Sequence, residues 1–135
     1  MATNNAKRKI LIFSTAYYPL VAGAEVAVKE ITDRLSGMFD FDLMTAKLQS
    51  DLLSVEKIGN VTVYRIGSGH PMLDKILLPF RGAVLTSRLQ KQNDYFCFWG
   101  IMVTFGSLAG YIFNLSRSLT GRKMIPMVLT LQEGD

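Results

Sequence analysis

The sequence predicts an α/β fold built on a mostly parallel sheet with helices on both faces. Three observations carry that prediction. Short apolar runs of strand length alternate with longer runs of helical period. The short runs are continuous where half-buried strands would alternate, the pattern of strands covered on both faces. The composition, 135 residues at 49% hydrophobic and 19% charged, fits one globular domain with a core of its own.

Ile10 to Ser14 is the first apolar run and reads as the first strand. Ala24, Ala27, Val28, Ile31 and Leu35 then recur at helical spacing, with Lys29, Glu30, Asp33 and Arg34 between them and Gly37 placed to end the helix. Phe41 to Thr45 reads as a second strand, and Val61 to Ile66 as a third after the Gly59-Asn60 turn signal. Leu73 to Gln92 reads as mostly helical with a break near Pro79. Tyr95 to Trp99 is an aromatic, β-favouring run, Phe105 to Leu119 a helix, and Met127 to Leu131 a last strand after Pro126. The resulting order, β-α-β-β-α-β-α-β, calls for crossover connections between parallel strands. Sheets of this kind bind ligands at the carboxyl ends of their strands.

Tyr95 to Leu115 is a run of 21 residues without a charge, long enough for a membrane-spanning helix, and Gly106 and Gly110 within it have the spacing of packed transmembrane helices. Gly100 and Gly106 interrupt the run where a loop between a buried strand and a packed helix belongs. The strand-loop-helix reading is preferred, with Gly106 and Gly110 as close-packing positions against the sheet. A small membrane protein spanning at 95–115 is the alternative.

The formal net charge of +4 and a pI near 9.3 suit an anionic partner. Apart from Lys7-Arg8-Lys9 the cations are scattered, which argues against nucleic acid. Cys97 is the only cysteine, so a disulfide scaffold is excluded and a reducing, cytoplasmic setting is expected. The apolar part of KRKILIF ends at Phe13, too early for a signal peptide. His70 lies in a Gly-Pro loop with no second metal-type ligand near it in sequence, so a surface residue and no metal site are expected.

The junction AYYPLVAGAEVAVKE, Ala16 to Glu30, is where chemistry is expected, because unsatisfied N–H groups and the helix dipole favour an anion at a helix N-terminus. Gly23 would let backbone approach a phosphate. The junction holds a single glycine, which speaks against a dinucleotide fingerprint, and there is no P-loop motif. On local sequence alone, a plain tight turn with Glu25 as a first-turn acid is an equal reading.

KILIFSTAYYPLVAGAEVAVKEITDRLSG resembles the opening of the family 4 glycosyltransferases, whose first strand ends in a Tyr-Pro-Pro-like loop followed by Gly-Gly-x-Glu and a long helix. VTVYRIG is similar to that family's third strand, NDYFCFWG to its fourth, and IPMVLTLQEGD to the strand that runs into the interdomain cleft. The resemblance implies a GT-B architecture of two Rossmann-like domains. Residues 1–135 would be the single N-terminal, acceptor-side domain, incomplete at its C-terminus. The donor-binding half would come from a missing C-terminal domain or a partner chain. The implied activity is transfer of a sugar from a nucleotide-sugar donor to an unidentified acceptor, independent of metal or other cofactor, with this fragment inactive alone.

By position, Ala22 and Gly23 match the family's glycine pair near the donor phosphate and sugar, followed by Glu25. Ala22 departs from that pattern, and its methyl could hinder the closest approach. Gln132 stands where the family often has a histidine; a glutamine cannot serve as a general base, so a positioning role is implied. Retaining enzymes of this type are thought to rely on the donor phosphate in place of a protein base. Glu133 and Asp135 are candidates for acceptor hydroxyls, or equally plain polar residues at a strand end. Some family members lie on membranes, which implies a cytoplasmic protein peripheral to the inner face. Met72 to Gln92, with Lys75, Arg81, Arg88 and Lys91 among aliphatics, is the segment that could rest there, but its charges form no clean face and packing on the sheet is the better reading. The departures at Ala22 and Gln132 keep a non-catalytic binding module of the same fold as a second alternative.

Overall fold

A computed structural model of the chain describes residues 7–19, 23–101 and 105–131. Its elements are β1 (Arg8–Phe13), α1 (Gly23–Arg34), β2 (Phe39–Ala46), β3 (Val55–Ile58), β4 (Val61–Ile66), α2 (Pro71–Asn93), β5 (Cys97–Ile101), α3 (Phe105–Leu119) and β6 (Met127–Thr130). They form one six-stranded sheet in the order β3-β4-β2-β1-β5-β6, parallel throughout except where β3 turns back on β4. The connection from β1 to β2 runs one way across the sheet; those from β4 to β5 and from β5 to β6 run the other way. Right-handed crossovers then require α1 on one face and α2 with α3 on the opposite face.

The period-two geometry of the strands sorts their side chains accordingly. Ile10, Ile12, Leu43, Val61 and Val63 join Val28 of α1 in one apolar cluster. Leu11, Phe13, Met44, Phe98, Leu78 and Phe113 form the other, beneath α2 and α3. The continuous apolar run of β1 is thus explained, because Leu11, Ile12 and Phe13 are fully buried with helices on both sides.

Three expectations are corrected. Val55–Ile58 is a strand, paired from Val55↔Tyr64 to Ile58↔Val61, and the Gly59-Asn60 signal is the turn of this hairpin. Its VEKI alternates in exposure as an edge strand does, without the continuous apolar run of the parallel strands. Second, α2 does not break near Pro79. A proline removes one backbone donor, and burial of Leu78, Gly82, Thr86 and Leu89 on either side of it holds the remaining turns in line. Third, Ile31 faces solvent; the buried stripe of α1 runs through Glu25, Val28 and Thr32.

The uncharged 21-mer divides into β5 and α3, and no helix among the described residues is long and apolar enough to cross a membrane. Gly106 and Gly110 are close-packing positions. A Cβ on Gly106 would lie 2.6 Å from the Ser14 carbonyl carbon, and one on Gly110 would lie 3.1 Å from the Phe13 ring. At the amino end of the sheet, buried Asp42 accepts from the Tyr95 hydroxyl at 2.5 Å and faces Lys9 Nζ at 3.5 Å, while Lys9 also donates to Asn93 at 2.9 Å. Burial, then the bond to Asp42, pushes the Tyr95 phenol far above its usual pKa, so it stays a donor.

Because the obstacle at Gly106 is main chain, which cannot rotate away, Gly106→Ala should destabilise by about 1–3 kcal/mol despite the better helix propensity of alanine. Gly23→Ala, with open space around the new methyl, should not. Denaturant titration of the two variants checks the contrast.

Candidate functional site at the carboxyl end of the sheet

The strands β1 and β5 lie side by side, and their following helices leave to opposite faces. This is the topological switch point, and the crevice beyond the carboxyl ends of β1 and β5 is where such sheets take ligands. Three grooves of about 490, 480 and 490 Å³ lie elsewhere, against α2, the β3–β4 edge and the α3–β6 side. Chain direction therefore locates the candidate site.

The chain leaving β1 is held from several directions. Ser14 N–H donates to Met44 O at 3.0 Å, and Ser14 Oγ donates to Ala16 O at 2.6 Å. Gly106 N–H, in the first turn of α3, donates to Thr15 Oγ1 at 3.3 Å. Tyr17 and Tyr18 meet edge to face at 5.2 Å, and the Tyr18–Pro19 peptide is cis. Burial pushes the Tyr17 phenol up to about 12, with the charges of Tyr18, Asp33 and Glu25 adding to the shift. It is neutral at any working pH. Its hydroxyl is buried without a hydrogen-bond partner among the described residues.

Arg65 is the residue that sequence reading missed. It extends from β4 with its side chain 1% exposed. Nη2 donates to Tyr18 O at 2.8 Å, and Nη1 donates to Leu53 O at 2.8 Å and to Glu56 Oε2 at 2.7 Å. The signal was present in VTVYRI: Val61, Val63 and Arg65 share one face at period two, so a cation stood at a core position and required buried acceptors.

Asp74 does the same for the loop before α2. Its carboxylate accepts from Leu48 N–H at 3.1 Å, Ser68 N–H at 2.9 Å and Gly69 N–H at 3.0 Å. Leu48 holds a φ of 65°, a left-handed conformation uncommon outside glycine, with its N–H on this carboxylate. Burial opposes ionisation of Asp74, but the three backbone donors outweigh it and hold the carboxyl below its usual pKa.

Of the sequence-predicted site residues, Gly23 opens α1 and is exposed, and a Cβ placed on it meets nothing within 4 Å among the described residues. Glu25 lies buried in the first turn of the same helix, 8% exposed. Ala22, Gln132, Glu133 and Asp135 lie outside the described residues. His70 is an exposed residue at the N-cap of α2, its side chain making no cap bond. No cluster of metal-ligating side chains occurs among the described residues. Cys97 is a free thiol whose pKa burial raises, so it is not an activated nucleophile.

No protein-family model matches the chain, and no curated protein matches it significantly by sequence. Among solved structures it is similar to the sucrose-phosphate synthase from Thermosynechococcus elongatus, with a TM-score of 0.64 over 94% of this chain at 13% sequence identity. The likeness is one of fold: a six-stranded, mostly parallel α/β sheet flanked by helices, consistent with a Rossmann-like GT-B half. The chain spans 33% of the length of that structure.

Two outcomes check the anchoring. Arg65→Leu, which strands Glu56 and two backbone carbonyls, should cost about 3–5 kcal/mol in a denaturant melt. Because the Asp74 pKa is lowered in the folded state, its contribution is complete above the ordinary carboxylate pKa and is lost as the pH falls through the lower folded value. Asp74→Asn should therefore lower stability at neutral pH by about 2 kcal/mol and flatten that part of the acid-unfolding curve.

Proposed function

We propose that this chain is the acceptor-side half of a family 4-type glycosyltransferase, acting in transfer of a sugar from a nucleotide-sugar to an acceptor. The observation that carries the reading is the N-terminus of α1: exposed Gly23, with open space at its Cα, follows a loop that Arg65 and Thr15 hold at the switch point of a glycosyltransferase-like fold. Backbone N–H groups at such a helix start suit a donor phosphate. Ala22 would lie beside it. Glu25 repels a phosphate by charge, so its role is toward a sugar or acceptor hydroxyl or the helix terminus itself. Gln132 would position a sugar, and Glu133 and Asp135 would meet acceptor hydroxyls. Base and ribose contacts, on this reading, belong to a donor-binding half on the same or a partner chain, and no metal takes part.

The test has two arms. Incubated with uridine, adenosine or guanosine diphosphate sugars, the 135-residue chain alone should release no nucleoside diphosphate. Turnover that survives a contaminant control would overturn the division of labour. In an enzyme that joins this chain to a donor-binding half, Gly23→Val should lower kcat/KM about ten- to a hundredfold, the loss of roughly one charge-assisted hydrogen bond. Glu25→Gln should lower it less. Wild-type efficiency in a folded Gly23→Val enzyme would reduce the glycine to a turn residue and sink the phosphate-site reading.

A further inference from the structure

At the amino end of the sheet the last turns of α2 and α3 flank a groove of about 490 Å³, far from the carboxyl-end crevice. α2 closes on Asp94, which holds a φ of 50° and donates its N–H to Gln90 O at 3.1 Å. α3 closes on Gly121 at a φ of 75°, with Gly121 N–H on Ser118 O at 3.1 Å and Arg122 N–H on Arg117 O at 2.8 Å. That pair of bonds turns the chain back over the helix end, so Arg122 is set beside Arg117. Both arginines line the groove, with Lys91 from α2.

Arg117 is oriented by the protein itself. Its Nε donates to Lys123 O at 2.8 Å, and its guanidinium carbon lies 5.7 Å from the centre of the Phe113 ring. The terminal nitrogens of Arg117, the Arg122 guanidinium and Lys91 Nζ have no acceptor among the described residues. The carbonyl ends of two helices attract cations, but only Arg117 Nε is spent on a carbonyl. The groove lining holds three cations against one acid, Asp94. Its size is that of a small-molecule site, which typically runs from about 300 to 1,000 Å³.

The same groove presents oxygen atoms that can only accept. Ser116 Oγ donates its proton to Phe113 O at 2.7 Å, and Thr120 Oγ1 donates to Ser116 O at 3.0 Å, which leaves their lone pairs to the groove. Gln90 Nε2 steadies the Asp94 carboxylate at 3.2 Å. We propose that this groove binds a small organic phosphate monoester that also carries hydroxyl groups. Arg117, Arg122 and Lys91 take the phosphate, for which the fork of arginine is suited, and Ser116, Thr120 and Asp94 accept from the hydroxyls. A simple anion satisfies only the first set, and an uncharged polyol only the second. The inference is independent of sugar transfer, because none of these residues belongs to the switch-point site.

The experiment is calorimetric titration of the 135-residue chain with sorbitol 6-phosphate, beside inorganic phosphate and sorbitol. Saturable binding of sorbitol 6-phosphate, weaker binding of inorganic phosphate and none of sorbitol are expected. Arg117→Gln should weaken the binding of sorbitol 6-phosphate about tenfold or more, the loss of one charge-assisted hydrogen bond. Arg122→Gln, whose side chain carries no contact of the fold among the described residues, should weaken it about two- to fivefold and keeps the test open if Arg117→Gln fails to fold. Ser116→Ala should lower affinity for sorbitol 6-phosphate about two- to tenfold while leaving that for inorganic phosphate unchanged. Circular dichroism of each variant confirms that it is folded. No saturable binding of sorbitol 6-phosphate would overturn the proposal and reduce the three cations to partners of the helix ends. Binding that both arginine substitutions leave intact, or inorganic phosphate binding as tightly as sorbitol 6-phosphate, would overturn it as well.

Discussion

The buried guanidinium of Arg65 ties the loop beyond β1 to the edge hairpin of β3 and β4. One side chain on β4 holds the carbonyl of Tyr18 beyond β1, the carbonyl of Leu53 before β3 and the carboxylate of Glu56 within β3. A cation this deep is tolerated only if its donors are met, and the planar fork of arginine can meet several at once. Rotation of the Tyr18 carbonyl away from it would leave a buried charge short of an acceptor. The loop at the switch point is therefore under a penalty for moving, and the antiparallel edge hairpin is part of the same constraint.

Asp74 repeats the arrangement with the charges exchanged. A buried carboxylate gathers backbone donors from the segment after β2 and the segment before α2, so two neighbouring carboxyl-end loops share one anchor. At the third contact the agent is absence: Gly106 has no side chain, and α3 can rest its first turn against the main chain of Ser14. Three different devices thus stiffen the carboxyl end of the sheet around the start of α1. The buried hydroxyls of Tyr17 and Thr45 lie within this region, and neither has an acceptor or donor among the described residues.

The two layers of helix also differ in what they leave outside. α1 carries acids and bases in near balance, with the pairs Lys29–Asp33 and Glu30–Arg34 along its outer surface. The outer side of α2 has cations without exposed acids and apolar residues without partners.

The α/β class, the strand and helix order apart from β3, and the subdivision of the uncharged 21-mer were legible in the sequence, because they follow from local periodicity and from glycine and proline placement. The opening junction was legible as a candidate site for the same reason: a strand end, a small-residue turn and a helix start are neighbours in sequence. Three things depended on residues distant along the chain. β3 was hidden because an edge strand need not be apolar on both faces, and only its pairing with β4 makes it a strand. The continuity of α2 through Pro79 is decided by the packing around it, which local propensity does not include. Arg65 stood at a readable core position in VTVYRI, but its partners lie 47, 12 and 9 residues away. Periodicity can mark a buried charge; only the tertiary structure decides which carbonyls it holds, because hydrogen bonds are made between neighbours in space.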